Sequence, residues 1–397
     1  MKILMLAPEP FFQPRGTAFS VLYRLQALSS FGPTIDLVTY PLGEDRSFPG
    51  VTIRRVSRLP FLRAIKIGPS WAKVPLDFLM FWKAFFLLAT RKYDLIHSHE
   101  EAGFMALLLT RIFNVKHLYD MHSSLPQQLA NFEFTRSRLL HWLFRRFEKW
   151  TLGTADAVIT ICPELDRIVE RISPKTWRMM IENVMEEDAA ATPAAVHTDV
   201  LQRLGLPAHL ATAKLILYAG TFEPYQGLDL LVDSAAIVAK RRSDAVFLIV
   251  GGKPEQIAAF QARASSLGLS EKVIFTGWRR SEEIPLFMSI ADILTSPRTK
   301  GVNTPLKIYS YLRSGKPIVA TRTITHTQVL NDAVSILANP DPESFAEAIL
   351  RGLDDLTLCH QITEAAKKLA ADQYSFESYT DKMRTVCARL SPSLEAR

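Results

Sequence analysis

Short apolar runs alternate with helical patterns along this chain, and that alternation permits few folds. Ile3–Ala7 reads as a buried strand, the loop PEPFFQPRGT follows, and Thr17–Phe31 has helical spacing at Phe19, Leu22, Leu25 and Leu28. Ile35–Tyr40, Val51–Val56, Asp94–Ser98, Val115–Asp120, Ala157–Ile161 and Arg178–Ile181 read as further strands. Between them, helices are predicted over Ala102–Phe113, Arg136–Leu152 and Glu164–Arg171. Strand, loop, helix and strand is the unit of a doubly wound α/β domain. A second series opens at KLILYAG. It runs through a helix at Leu228–Lys240, strands at Ala245–Val250, Val273–Thr276 and Ile293–Ser296, and helices at Ile257–Leu267, Glu282–Ser289 and Ser344–Leu353.

A chain of 397 residues is long for one core, so two domains are expected. The boundaries read as 1–185 for the first domain, an Ala/Pro-rich linker at 186–213, and 214–375 for the second. A last helix in 376–397 is predicted to cross back toward the first domain. With 48% apolar and 22% charged residues, the composition is that of a folded protein. Three scattered cysteines, Cys162, Cys359 and Cys387, argue against a disulfide framework and for a reducing compartment, so the chain is expected to be cytoplasmic. The start, MKILMLAPEP, breaks at Pro8 and Glu9 and does not read as a secretory signal, and no apolar run is long enough to span a bilayer.

Charge is unevenly spread. Residues 1–185 hold 24 Lys or Arg against 16 Asp or Glu, net +8; the remainder holds 23 against 24, net −1, giving +7 overall. The basic residues of the first half lie among large apolar ones. That favours an anionic membrane surface over nucleic acid as the partner. Leu59–Thr90 carries Phe61, Trp71, Phe78, Phe81, Trp82, Phe85 and Phe86 with Arg63, Lys66, Lys73 and Lys83 among them. Its aromatics share a helical face, read first as a core helix against the sheet and second as a helix lying on a membrane. RSRLLHWLFRRFEKWTL (136–152) has the same mixture, and packing and lipid binding are equally open there.

The basic stretch TSPRTKGVNTPLKIYSYLRSGKPIVAT (295–321) lies in a run, 293–331, with six Lys or Arg and no Asp or Glu. Thr304 reads as an N-cap and Pro305 as the first helical residue. Gly315 closes the helix before a strand at Ile318–Ala320. Lys307 then falls in the first helical turn, where a cation is disfavoured unless an anion is bound there too. A phosphate-bearing ligand is the functional reading, and a plain basic surface the alternative. In the first domain, His99 and His122 fall at the ends of successive strands, with Glu100 beside one and Arg15, Gly16 and Thr17 on the first loop. These positions are where doubly wound domains bind ligands. HSH (97–99) is also a conceivable metal pair, but neither a cysteine nor a third histidine is evident to complete it, so no metal is expected.

YAGTFEPYQGLDLLVDSA, PLKIYSYLRSGKPIVAT, HSHEEAGFMALL, LYDMHSS and PRGTAFSVLYRLQALSSFG together resemble, in order, motifs of the family-four retaining glycosyltransferases. The resemblance covers nearly the whole chain. It implies a GT-B fold, two Rossmann-like domains facing a cleft, and hexosyl transfer from a nucleotide sugar, UDP- or GDP-linked, without cofactor or metal. It implies a donor on the second domain and an acceptor on the first; with these cleft motifs, the basic, aromatic N-terminal half points to a lipid-linked or envelope glycan at the inner face of a membrane as that acceptor. His122 matches the histidine at the transferred sugar, with His99 and Glu100 beside it as catalytic candidates. Gly16 and Thr17 match the loop near phosphates or acceptor. Gly220 and Gly252–Lys253 match donor-domain turns. The usual diphosphate-gripping Arg and Lys are replaced by Thr221 and Gln226, and the paired glutamates of the donor helix by Val302 and Ser310. The expectation is that Arg298, Lys300 and Lys307 supply the missing charge, with Asn303, Thr304, Tyr309 and Ser310 as weaker donor contacts. The alternative is a degenerate scaffold or membrane-recruiting subunit that has lost nucleotide binding.

Overall fold

The computed structural model describes residues 1–13, 16–60, 65, 70, 73–124, 126, 137–183 and 197–391. The chain forms two compact units, Met1–Asn183 with Phe376–Arg397, and Val184–Ser375. Arg15, Phe61, Arg63, Lys66, Trp71 and Arg136 lie outside the described residues.

The first unit is built on β1 (Lys2–Ala7), β2 (Thr34–Thr39), β3 (Val51–Arg55), β4 (Leu95–His99), β5 (Lys116–Met121), β6 (Ala157–Thr160) and β7 (Arg178–Met180). All pair in parallel, in the order β3-β2-β1-β4-β5-β6-β7. Helices cover both faces, which is why β1 is apolar and both β1 and β4 are buried almost end to end. The second unit holds β8 (Lys214–Ala219), β9 (Ala245–Val250), β10 (Val273–Gly277), β11 (Ile293–Ser296), β12 (Ile318–Thr321) and β13 (Ile336–Ala338), again parallel. Their order is β10-β9-β8-β11-β12-β13. In each sheet the winding reverses once, between β1 and β4 and between β8 and β11. Crossover loops diverge there and leave a crevice at the carboxyl ends of the strands.

Several expectations change. The helix Val74–Thr90 packs on the sheet as expected but divides its aromatics, with only Phe81 and Phe85 partly buried against the core. Leu76, Met80, Ala84 and Leu88 face the sheet, while Phe78, Trp82 and Phe86 are exposed. The span expected as linker contains a helix, His197–Arg203, and a short turn at Ala208–Thr212, anchored by buried Val200, Leu201, Leu204 and Leu210. An 18-residue helix, Leu356–Gln373, follows Asp355, whose carboxylate accepts from the Leu358 amide. Its buried positions are small or polar, Cys359, Thr363, Ala366 and Ala370 beside Ile362, and this weak stripe left it unread in the sequence. The final helix, Phe376–Leu390, packs on the helix Thr17–Ser30 within the first unit.

Candidate active site

In the first unit, the candidate residues gather at the reversal between β1 and β4. Gly16 caps the helix Thr17–Ser30 with φ +42°, and nothing crowds the position a side chain would take. The side chain of Thr17 hydrogen-bonds Glu9, on the loop leaving β1. His99 ends β4, and Glu100 follows with φ +48°, a strained backbone for a non-glycine residue. His122 follows β5. The structure brings His99 and His122 together: His99 Nδ1 lies 2.9 Å from His122 Nε2, with the rings stacked at 5.2 Å.

Beneath them sits a group that sequence reasoning missed. Asp120 is fully buried, and Arg24 donates to both its oxygens, Nε to Oδ2 at 2.7 Å and an NH2 nitrogen to Oδ1 at 3.4 Å. His97 Nε2 lies 3.1 Å from Oδ2, and His122 Nε2 lies 3.4 Å from Oδ1. Arg24 also packs under the Tyr379 ring at 4.9 Å and donates to the Ile181 carbonyl. Asp120 is thus the hub that orients the histidines, while Arg24 and the terminal helix hold it in place.

Arg24 and the histidines keep the Asp120 carboxyl far below the usual range, so it stays ionised. Burial drives His97 and His99 down, His122 to about 4 and His117 to about 3, so all four rings are neutral at pH 7. Burial and the neighbouring Glu101 push Glu100 up to about 8 despite its bond from Ser123 Oγ at 2.7 Å. Burial raises Glu9 equally, to about 8. At neutral pH these two carboxyls are protonated and can donate to a hydroxyl-rich ligand.

The neutral histidines have a stability consequence. Unfolded histidine titrates near 6.5, above these folded values, so the unfolded chain binds more protons between about pH 6.5 and 4. The histidines' contribution to the first unit's stability is expected to be lost as pH falls through that window, against an opposite contribution from Glu9 and Glu100, whose raised values favour the folded state as pH falls from about 8 toward 4.5. Urea midpoints measured from pH 7 to 4 check this, and His117→Gln should flatten the loss.

Among the described residues, His97, His99 and Asp120 bring ligand-type atoms within 4.8 Å of one another, so the third ligand beside the HSH pair is a carboxylate. A metal ion there would have to compete with the Arg24 guanidinium for both Asp120 oxygens.

In the second unit, the candidates collect at the reversal between β8 and β11. Gly220 ends β8, and a Cβ on it would meet the Tyr218 hydroxyl at 2.9 Å and Lys307 Nζ at 3.1 Å. Gly227 lets the loop press against β11: with φ +74°, its Cβ would fall 2.1 Å from the Pro297 carbonyl oxygen. Thr221 is exposed and its carbonyl accepts from Tyr218; Gln226 closes the turn Pro224–Gln226. Arg298 follows β11, donates to the Lys300 carbonyl at 2.9 Å and stacks over Tyr225 at 5.0 Å. Gly252 abuts the Phe222 ring, and Lys253 is exposed at the start of the helix Pro254–Ser266, along the β9 side.

The expected capping by Thr304 is not what forms. The helix spans Lys307–Arg313, after a turn in which Ile308 N donates to the Pro305 carbonyl. The Thr304 hydroxyl is buried with no hydrogen-bond partner among the described residues. Asn303 and Ser310 are partly buried on either side of this turn. Lys307 remains at the helix start. Its ammonium is enclosed, lies 3.8 Å from the Tyr218 ring centroid and has no hydrogen-bond acceptor among the described residues. Burial, then the nearby Arg298 charge, lowers its pKa to about 7. His326, unread in the sequence, is buried behind it, bonded to Ser296 and the Thr321 carbonyl, and burial lowers it to about 3.

Residues 15–183 match the family model described as glycosyl transferase 4-like domain, and residues 213–355 match that of glycosyl transferases group 1. The chain is therefore a glycosyltransferase of GT-B fold, its N-terminal domain belonging to the first of these families and its C-terminal domain to the second. Phosphatidyl-myo-inositol mannosyltransferase of Mycobacterium leprae is 23% identical over 342 residues, covering 84% of this chain and 81% of that protein. Among solved structures, sucrose-phosphate synthase from Thermosynechococcus elongatus superposes with a TM-score of 0.80 at 20% identity, over 99% of both chains. Anabaena Alr3699/HepE in complex with UDP gives 0.76 at 17% identity, over 98% of this chain and 100% of that one.

Proposed function

We propose that this glycosyltransferase moves a hexosyl group from a nucleoside diphosphate sugar, UDP- or GDP-linked, to a lipid-linked or envelope glycan, with retention of anomeric configuration. The enclosed Lys307 ammonium at the β8–β11 reversal carries the reading. A buried cation without an acceptor is costly, and a diphosphate is the ligand that would repay it. Lys307 and Arg298 take the diphosphate, in place of the cations that Thr221 and Gln226 do not supply. Asn303, Thr304 and Ser310 lie on the same turn to bond ribose or sugar hydroxyls, and the lack of a side chain at Gly220 makes room for the Lys307 ammonium.

Chemistry follows from charge. As the sugar leaves, negative charge builds on the diphosphate, and fixed cations stabilise it more than they stabilise the ground state. The acceptor hydroxyl gives its proton to the departing phosphate. His122, backed by His99 and Asp120, positions the sugar, and Glu100 hydrogen-bonds as a neutral acid. The acceptor class draws support from the relative that carries phosphatidyl-myo-inositol in its name. No metal is needed in this scheme, since protein cations hold the diphosphate.

A screen of UDP- and GDP-sugars, read by thermal shift and by donor hydrolysis in EDTA, tests the proposal. One nucleotide class should raise the melting temperature and turn over with chelator present. If no donor binds, the scaffold alternative replaces the enzyme; if turnover needs added metal, the cationic scheme is wrong.

A further inference from the structure

We propose that the helical layer formed by Val74–Thr90, Ala102–Phe113 and Arg138–Thr154 docks the enzyme on an anionic lipid bilayer. The inference deepens the proposed lipid-linked acceptor by naming the surface that meets the membrane.

The three crossovers from β3 to β4, β4 to β5 and β5 to β6 all advance in one direction, so right-handedness puts their helices on one face of the sheet. Ring contacts join them, Phe85 to Phe113 at 5.2 Å and Phe104 to Phe147 at 5.3 Å. Their outward sides are apolar to an unusual degree. Of thirteen exposed large apolar side chains among the described residues, nine lie on these three helices. Phe78, Trp82 and Phe86, one turn apart, are 40 to 62% exposed, and Trp82 contacts the other two rings at 6.1 Å, T-shaped on Phe78 and tilted on Phe86. Leu108, Ile112 and Trp142 continue the exposed surface on the next two helices.

Charge selects the occupant. The three helices hold only two carboxylates, and both turn inward: Asp77 accepts from Tyr40, and Glu148 is buried. The exposed charges are positive, Arg111, Arg145, Arg146 and Lys149, and Arg146 lies 4.8 Å from the Trp150 ring centroid. Outward aromatics with cations beside them and no exposed carboxylate on these three helices suit the headgroup region of an anionic leaflet. No helix of the described residues is long and apolar enough to cross a membrane, so the contact lies along the surface.

The test is flotation of the full chain with vesicles of equimolar phosphatidylcholine and phosphatidylglycerol, against phosphatidylcholine alone. Strong flotation is expected only with the anionic vesicles, and it should fall steeply with salt. Trp82→Ser/Phe86→Ser and, separately, Arg145→Glu/Arg146→Glu should each reduce the bound fraction at least about tenfold. Donor hydrolysis with water as acceptor should stay at the wild-type rate in both, so failed docking and failed nucleotide chemistry read out separately. Equal flotation on both vesicle types, or binding unchanged by both variants, overturns the proposal. So does lipid-free self-association that Trp82→Ser/Phe86→Ser abolishes, which would make the occupant a second copy of the chain.

Discussion

Replacing Lys307 by methionine is expected to lower kcat/KM for the donor at least about a hundredfold while making the ligand-free protein more stable. Removing one partner of a desolvated charge pair costs about 2–5 kcal/mol in binding, and a hundredfold lies near the low end of that range. Stability moves the other way because, without ligand, the ammonium is enclosed against Tyr218 with no acceptor, and a methionine of similar length removes that penalty. An ordinary structural lysine would lose stability and leave donor affinity alone. The pH dependence separates the same two roles. The Lys307 pKa, lowered to about 7, leaves the folded protein with fewer bound protons than the unfolded chain between about pH 7 and the normal lysine value of 10.5. Its contribution to apo stability therefore rises with pH across that window. A diphosphate prefers the charged lysine, so donor affinity should weaken above about pH 7, by up to about tenfold per unit. Lys307→Met should lack both slopes.

The second large effect concerns the first unit. Arg24→Met and Asp120→Asn are each expected to cost about 3–5 kcal/mol, since each leaves a buried ion without its counter-ion. The double variant Arg24→Met/Asp120→Asn should lose clearly less than the sum, because no ion is left alone. Urea unfolding of the four proteins measures this, with hydrogen exchange of the β4 and β5 amides assigning the transition to the first unit. Strict additivity would mean that the pair carries no coupling. Activity should fall in all three variants, because Asp120 either loses the guanidinium that fixes it or loses a carboxylate oxygen that orients His97 or His122.

The strands were legible because parallel strands covered on both faces appear as short apolar runs, and His99, His122, Gly220 and Arg298 were legible because such runs end beside them. The Asp120 hub was not. Arg24 sits on a helix whose apolar spacing gives no sign that a charged residue lies on the inner face, and its partners come from β5 and a helix some 350 residues on. The helix Val74–Thr90 shows a different limit. It carries two apolar stripes, Leu76, Met80, Ala84 and Leu88 against Phe78, Trp82 and Phe86, and periodicity cannot choose which one faces the sheet. At the β8–β11 reversal, charge pattern revealed Lys307, but only the packing of Gly220 and Tyr218 around its ammonium revealed that it is enclosed.

Isothermal titration with the nucleoside diphosphate that the donor screen selects, run at pH 8 in two buffers of different ionisation enthalpy, tests the Lys307 assignment most directly. Nearly one proton should be taken up on binding to the wild type and none on the much weaker binding to Lys307→Met. Equal affinity and equal proton balance in the two proteins would place the diphosphate elsewhere.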